Sequence, residues 1–481
     1  MLKNFLTFSF GSWVSAVIQF LTVPIITLLI APEQFGKAAM FTLAFNVLTQ
    51  IVLFGTDQSF VRFFYEYEEI ERPSLLWNSL FPSLIVWGIV AVGLFFCWRL
   101  ISNWLISDEQ FLIVGLLSIS LLINIFNRYA TLVIRMQKKG VLFSLLQIAG
   151  AVITAIVIVV YSKIVNNTFY AIVFGTVCSL LIVTIIAVLK EHKFWLARLP
   201  ISRTQIKALL HYGLPFLPAL SMAMIFQVMD RVFIREFVGF EGLGIYTVAF
   251  KIAAVLSVLQ AGFSTFWIPV AYEHYEKDPK DKTLYEKMFK YVSFVLIFCG
   301  LGLIAGKDIV ILMFNATYSE AAAIMPFLIF MPIMFTLSEI TYLGINFTKK
   351  TYWHIVIFAL LLPLCLALNF IFVPWLGVKG AALAIALSYI CYFALRTAIS
   401  IRLYPVNFRL FKNSLAILLL FIVAGINTFF DKTIGIGSAV LAIVIYLLFH
   451  LPTIKEMVVY FQQEIVNFIP RINKNNQNIE S

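Results

Sequence analysis

Three charged residues stand where an apolar chain has no ordinary use for them. Asp230 and Arg231 follow an uncharged stretch from Ala208 to Met229, and Lys251 comes twenty residues later. Arg128 is a fourth, four residues after Asn124 and so on the same helical face. Glu339 lies beside Ser338 and Thr341. Neutral polar residues keep helical spacing too. Ser12, Ser15, Gln19 and Thr22 step by 3, 4 and 3; Asn46 and Gln50 are four apart, as are Gln227 and Arg231. Fixed Arg and Lys side chains among such groups could hold an anion by charge-assisted hydrogen bonds, with acids neutralising them when it leaves. A plainer reading also fits. Asp230, Arg231 and Lys251 would form an interfacial cluster, with Asp230 pairing to Lys251, and Arg128 would snorkel to the interface.

What must position these residues is a set of membrane helices. The 481-residue chain is 62% hydrophobic and 12% charged, against about 45–50% and about 25% in ordinary globular proteins. Long apolar runs recur from end to end and are too long for barrel strands. They predict about fourteen helices: 8–31, 38–54, 75–98, 111–134, 141–161, 169–189, 209–233, 243–269, 291–305, 322–346, 352–374, 380–401, 414–430 and 434–451. The first run is too long for a signal-peptide core and reads as a retained helix. Pro24, Pro215, Pro218, Pro326 and Pro332 fall inside helices and imply kinks. A charge at the bilayer centre costs about 2.5–3.5 kcal/mol, so the buried charges should face water or a partner.

The net charge of +11 reports orientation rather than a nucleic-acid partner. Most of the 35 Lys and Arg fall in the loops of one side, including the two longest, 190–208 and 270–290. That bias puts both termini in the cytoplasm. The five cysteines all sit in apolar runs and form neither a CxxC pair nor a disulfide framework. No cofactor and no metal site is expected.

The chain also repeats itself. APEQFGKAAMFTLAFNVL (31–48) matches GFEGLGIYTVAFKIAAVL (239–256) at an offset of 208, placing Gly36 over Gly244. QKKGVLF (137–143) matches TKKTYWH (348–354) at 211, placing Lys138 over Lys349. Two parallel six-helix halves are therefore expected: 1–207 and 208–408, followed by two further helices in 409–455 and a cytoplasmic tail, 456–481.

Several stretches carry a family resemblance. LGIYTVAFKIA (243–253) after MDRVFIREFVG, LGVKGAALAIALSY (376–389), FNATYSEAAAIMPFL (314–328) and PIITLLIAPEQFGKAAMFTLA (24–44) resemble the polysaccharide and O-antigen flippases of the multidrug/oligosaccharidyl-lipid/polysaccharide exporter superfamily, over essentially the whole chain. The resemblance implies an all-α polytopic protein of the bacterial cytoplasmic membrane. Its two six-helix lobes would form a V-shaped cavity lined mainly by helices 1, 2, 4, 7, 8 and 10, with two extra helices. The substrate it implies is a polyprenyl-pyrophosphate-linked oligosaccharide for O-antigen, capsule or exopolysaccharide. Rocking of the lobes would carry it across, coupled to protons or another ion. The partners would be that lipid-linked substrate, membrane lipids, a polysaccharide polymerase and a chain-length regulator. Arg128, Arg231, Lys251, Asn124, Gln227, Gln19, Asn46 and Gln50 are the candidate pyrophosphate and sugar contacts. Asp230 and Glu339 are the candidates for ion coupling.

Two other functions fit less well. A multidrug or cation antiporter of the same superfamily needs an acidic or aromatic site, not deep cations. A membrane glycosyltransferase or polymerase needs catalytic acids or histidines in sizeable loops, whereas the five histidines are scattered. Lipid II flippases of the superfamily carry cations in helix 1; here that helix offers only neutral polar groups, which argues against lipid II.

Overall fold

A computed structural model of the chain describes residues 2–196, 201–457 and 459, with backbone alone at 2–9, 219 and 265. The tail NKNNQNIES lies outside the described residues. Those described are helical throughout, without strands, in the order α1 (Leu2–Leu29), α2 (Pro32–Leu53), α3 (Thr56–Phe63), α4 (Arg72–Phe96), α5 (Trp98–Ile106), α6 (Phe111–Met136), α7 (Gly140–Ile164), α8 (Tyr170–Lys190), α9 (His192–Leu196), α10 (Arg203–Gly213), α11 (Leu217–Phe237), α12 (Phe240–Ala253), α13 (Val255–Lys277), α14 (Thr283–Val310), α15 (Ala321–Leu328), α16 (Phe330–Thr341), α17 (Leu343–Phe347), α18 (Tyr352–Leu403), α19 (Leu410–Phe429) and α20 (Lys432–Phe449). Among these residues twelve helices are long and apolar enough to cross a bilayer, or thirteen with one bent pair taken as a single span. The protein is a multi-pass membrane protein of the all-α class.

Most deviations from the predicted helices trace to backbone chemistry. The seventh predicted helix starts earlier, as α10, and bends by 45° before α11. Pro215 and Pro218 remove two amide donors there, and a 3₁₀ turn, Leu214–Phe216, spans the gap. The eighth breaks at Ala254 into α12 and α13. The ninth outlasts its charge-free run: one span, Thr283–Met313, carries Glu286, Lys287, Lys290, Lys307 and Asp308 within it. At 52 residues α18 exceeds one crossing, and it is broken at Gly377, where φ is 58° and ψ −135°. That break falls between the eleventh and twelfth predicted helices.

The chain condenses into two compact units. One holds the chain up to Val258 with Ile309–Leu328 and Tyr352–Ser388; the other holds Leu259–Asp308, Ile329–Thr351 and the chain from Tyr389 on. In the first unit the repeat is visible in the backbone. The helix starts that match in sequence, on α2 and α12, lie against each other at the matched glycines. A Cβ on Gly36 would strike the Phe240 carbonyl, and one on Gly244 would strike that of Pro32. A second reciprocal crossing joins Gly55 and Gly213, where an added Cβ would come within 2.5 Å and 2.6 Å of the partner's carbonyl oxygen. Ser59 Oγ donates to the Leu209 carbonyl beside it, at 2.6 Å. Residues without a Cβ let helix backbones meet this closely. The Lys-Lys repeat is equally concrete. Lys138 and Lys349 both turn left-handed, with φ of 60° and 58°. The next amide returns to the helix end each time, Lys139 to Ile134 at 3.1 Å and Lys350 to Ile345 at 3.1 Å.

A buried hydroxyl cluster fastens the end of α2 in this unit. Thr56 Oγ1 bonds to Tyr129 at 2.7 Å and Ser83 at 3.0 Å, and Tyr129 donates to the Ser79 carbonyl at 2.9 Å. The second unit is tied by Trp267 Nε1 donating to the Glu339 carbonyl at 3.2 Å and by the Thr341–Thr397 hydroxyl pair at 2.7 Å.

Gly244→Leu should lower the melting temperature of the detergent-purified protein, because overpacking a tight contact costs about 1–3 kcal/mol. Gly88→Leu, with nothing within 4 Å of its Cβ, should leave it unchanged. Equal melting curves for the two variants would remove the crossing's role.

Candidate functional site

The first unit lines a half-open cavity of about 990 Å³. Its wall is built from α1, α2, α6, α7, α8, α11 and α12, each offering one helical face. From α1 come Ser12, Ser15, Gln19 and Thr22, the stripe read from spacing; α2 adds Asn46. From α6 come Asn127, Arg128, Thr131 and Arg135; α11 gives Arg231, and α12 gives Thr247, Phe250 and Lys251. Four cations thus reach the wall and no carboxylate does.

Arg231 and Lys251 form one group. The Arg231 guanidinium lies 4.6 Å from the centroid of the Phe250 ring, a cation–π contact that holds it without neutralising it. Lys251 keeps an accessible surface on the cavity although protein packs around it. The two cations are close enough to interact electrostatically. Among the described residues no carboxylate lies within ion-pairing distance of Arg135, Arg231 or Lys251.

Asp230 does not pair with Lys251. It is fully buried behind the wall, where the Tyr246 hydroxyl donates to its Oδ2. Helical rotation explains this: Lys251 is five residues past Tyr246, about 140° around α12, so the two side chains diverge. The same rotation separates neighbours on α11, turning Arg231 to the cavity and Asp230 to the core. Asp230 Oδ1 is buried with no hydrogen-bond partner, and so is Asn369 Oδ1. Asn369 Nδ2 contacts Cys365 Sγ at 3.5 Å, and Cys365 lies within electrostatic reach of Asp230.

Arg128 is likewise not a free cation. Its Nε and Nη2 donate to Asp57 Oδ2 at 3.1 and 2.7 Å. Asp57, just past the end of the second predicted helix, is buried. Asn124, Gln50 and Gln227 are not on the cavity wall. Asn124 turns to α2 instead, donating to Thr49 Oγ1 at 3.1 Å, and Asn127 takes the wall position on α6. Glu339 is buried in the second unit, and no residue of the predicted tenth helix lines this cavity.

Spacing held signals that went unread. Arg128, Thr131 and Arg135 step by 3 and 4, but Arg135 reads as a loop cation because it ends an apolar run. Gln147, Thr154, Thr176 and Ser179 bring α7 and α8 into the wall, as isolated polar residues in helices that look lipid-facing. Arg396 lies inside the twelfth predicted helix but is not among the candidate cations, and it is buried in the second unit. Its Nη1 donates to Ser338 at 2.8 Å and Tyr392 at 2.6 Å, and its guanidinium stacks 3.9 Å from the Tyr342 ring centroid.

Tyr246→Phe removes the donor to a buried carboxyl, a loss of about 1–3 kcal/mol, and should lower the melting temperature. Lys251→Met should not, since Lys251 has no carboxylate partner to lose. The reverse order in a thermal-shift assay would restore the Asp230–Lys251 pairing.

The sequence pattern of the family described as "Polysaccharide biosynthesis protein" matches residues 1–275. Among curated proteins nothing matches the chain. Among solved structures, "Lipid II flippase MurJ, inward closed conformation" aligns with a TM-score of 0.69 and 17% identity, over 93% of this chain and 99% of that one. An inward-facing multidrug resistance MATE family transporter of the MOP superfamily aligns at 0.60 and 16%, over 84% and 94%. An outward-facing one aligns at 0.57 and 16%, over 86% and 96%. At these identities the likeness is one of fold. The family pattern covers more than half of the chain, including every residue of the cavity wall, and on that ground the protein belongs to the polysaccharide biosynthesis protein family.

Proposed function

We propose that the protein is a flippase rather than an enzyme, moving polyprenyl-pyrophosphate-linked oligosaccharides across the bacterial cytoplasmic membrane for O-antigen, capsule or exopolysaccharide assembly. The observation that carries this reading is the charge of the cavity: four cations and no carboxylate on its wall. A diphosphate cannot cross hydrocarbon unpaired, and guanidinium and ammonium groups in a wet recess supply its hydrogen bonds. The amides and hydroxyls of Gln19, Asn46, Asn127 and Gln147 suit the sugars. Such a wall repels a cationic drug, which sets the antiporter reading second. The neutral face of α1 favours a glycan carrier other than lipid II.

In this reading both termini are cytoplasmic, and the halves 1–207 and 208–408 exchange access between the two sides. The product feeds a polymerase and a chain-length regulator. Asp230 is the first candidate for ion coupling, because its free oxygen could take a proton or a cation; Glu339, buried beside Ser338, is the second.

Arg231→Ala and Lys251→Ala should each cut surface glycan by at least about tenfold at unchanged protein abundance, since a hydrogen bond to a charged group is worth about 1.5–3 kcal/mol. Normal export in both, and in the double variant, refutes the proposal. In proteoliposomes Asp230→Asn should flatten the pH dependence of transport; an unchanged profile removes Asp230 from coupling.

A further inference from the structure

Among the described residues Asp57 is the one carboxylate that ion-pairs with a cation of the cavity wall. It does so from behind. Only 7% of its side chain is exposed, against 41% for Arg128, which faces the cavity. Asp57 Oδ2 takes both the Nε and the Nη2 hydrogen bonds of that guanidinium, with a third from Gln58 Nε2 at 3.0 Å. The pair is held in register by the pair beside it: Thr56 bonds to Tyr129, and Asp57 to Arg128, so consecutive residues of α3 meet consecutive residues of α6. Upstream, two left-handed residues, Phe54 and Gly55, end α2 and aim α3 at this contact.

An arginine has five N–H donors in a planar fork. Asp57 takes two of them, on Nε and Nη2, and the rest stay available on a residue that lines the cavity. No carboxylate among the described residues lies within ion-pairing distance of Arg135, Arg231 or Lys251, so Arg128 is the one wall cation that is ion-paired.

We infer that Asp57 is the resident counter-ion of the anion site: it neutralises Arg128 while the cavity is empty and competes with an incoming phosphate for the same guanidinium. This rests on the flippase reading and adds its release step. A phosphate first meets the remaining donors of Arg128 and is repelled by the carboxylate behind it. Its hold on Arg128 therefore stays weak enough to be given up, and Asp57 reclaims the guanidinium as the anion leaves. No proton or bond changes hands in this exchange.

The test is binding of inorganic pyrophosphate to the full-length protein in detergent, by titration calorimetry. Asp57→Asn should bind it at least about fivefold tighter, the low end of the usual range for coupled sites, while exporting less glycan in cells. Asn at position 57 leaves Arg128 uncompensated and could unfold the chain, so the same change is also made in Arg128→Gln, where no charge is left unpaired. There Asp57→Asn should gain nothing over Arg128→Gln alone. Equal or weaker binding by Asp57→Asn, or a gain that persists without Arg128, overturns the counter-ion role. The flippase reading fails separately, through wild-type pyrophosphate affinity in the Arg231→Ala/Lys251→Ala double variant.

Discussion

Arg231 and Lys251 repel each other, and each would pay heavily for contact with lipid. That constraint shapes the first unit. Two like charges on consecutive helices, without an acid between them, are stable only where water or an anion reaches them. The helices around them therefore stand apart over a cavity of about 990 Å³, and its wall is polar on seven elements at once. Phe250 lends the Arg231 guanidinium a flat partner without cancelling its charge.

The acids of this unit are placed by the same electrostatics. Asp230 is turned into the core, where Tyr246 satisfies one oxygen and the other stays free. Asp57 backs Arg128 and leaves its remaining donors available. Neither carboxylate lies on the wall, so neither stands directly in the path of an anion. A glutamate or aspartate on the wall itself would cancel the field that Arg135, Arg231 and Lys251 create.

Closeness elsewhere compensates for the space inside. The paired crossings at Gly36–Gly244 and Gly55–Gly213 put backbone against backbone, which no residue with a side chain allows at those positions. The two crossings flank α2 near its two ends. The unit is thus tight at small residues and open where the charges are. In the second unit Arg396 shows another way to bury a cation: two tyrosine rings and two hydroxyl oxygens take the place of an acid.

The sequence by itself determined the class of the molecule. Apolar runs of bilayer length leave the backbone no choice but helix, because every amide must be satisfied within the segment. It marked two pairs of matched turns, at Gly36 and Gly244 and at Lys138 and Lys349. It also marked the α1 stripe and the cations Arg128, Arg231 and Lys251, because charge and polarity at helical spacing are rare in lipid. Tertiary structure alone decided partnership. Periodicity says which residues share a face of one helix, but the rotation of each helix against its neighbours is set by packing. That rotation gave Asp230 to Tyr246, Arg128 to Asp57 and Asn124 to Thr49. It brought Arg135, Gln147 and Ser179 into the wall from stretches that looked like loop end or lipid face, and it buried Arg396 between Tyr392, one helical turn away, and Tyr342, far from it in sequence.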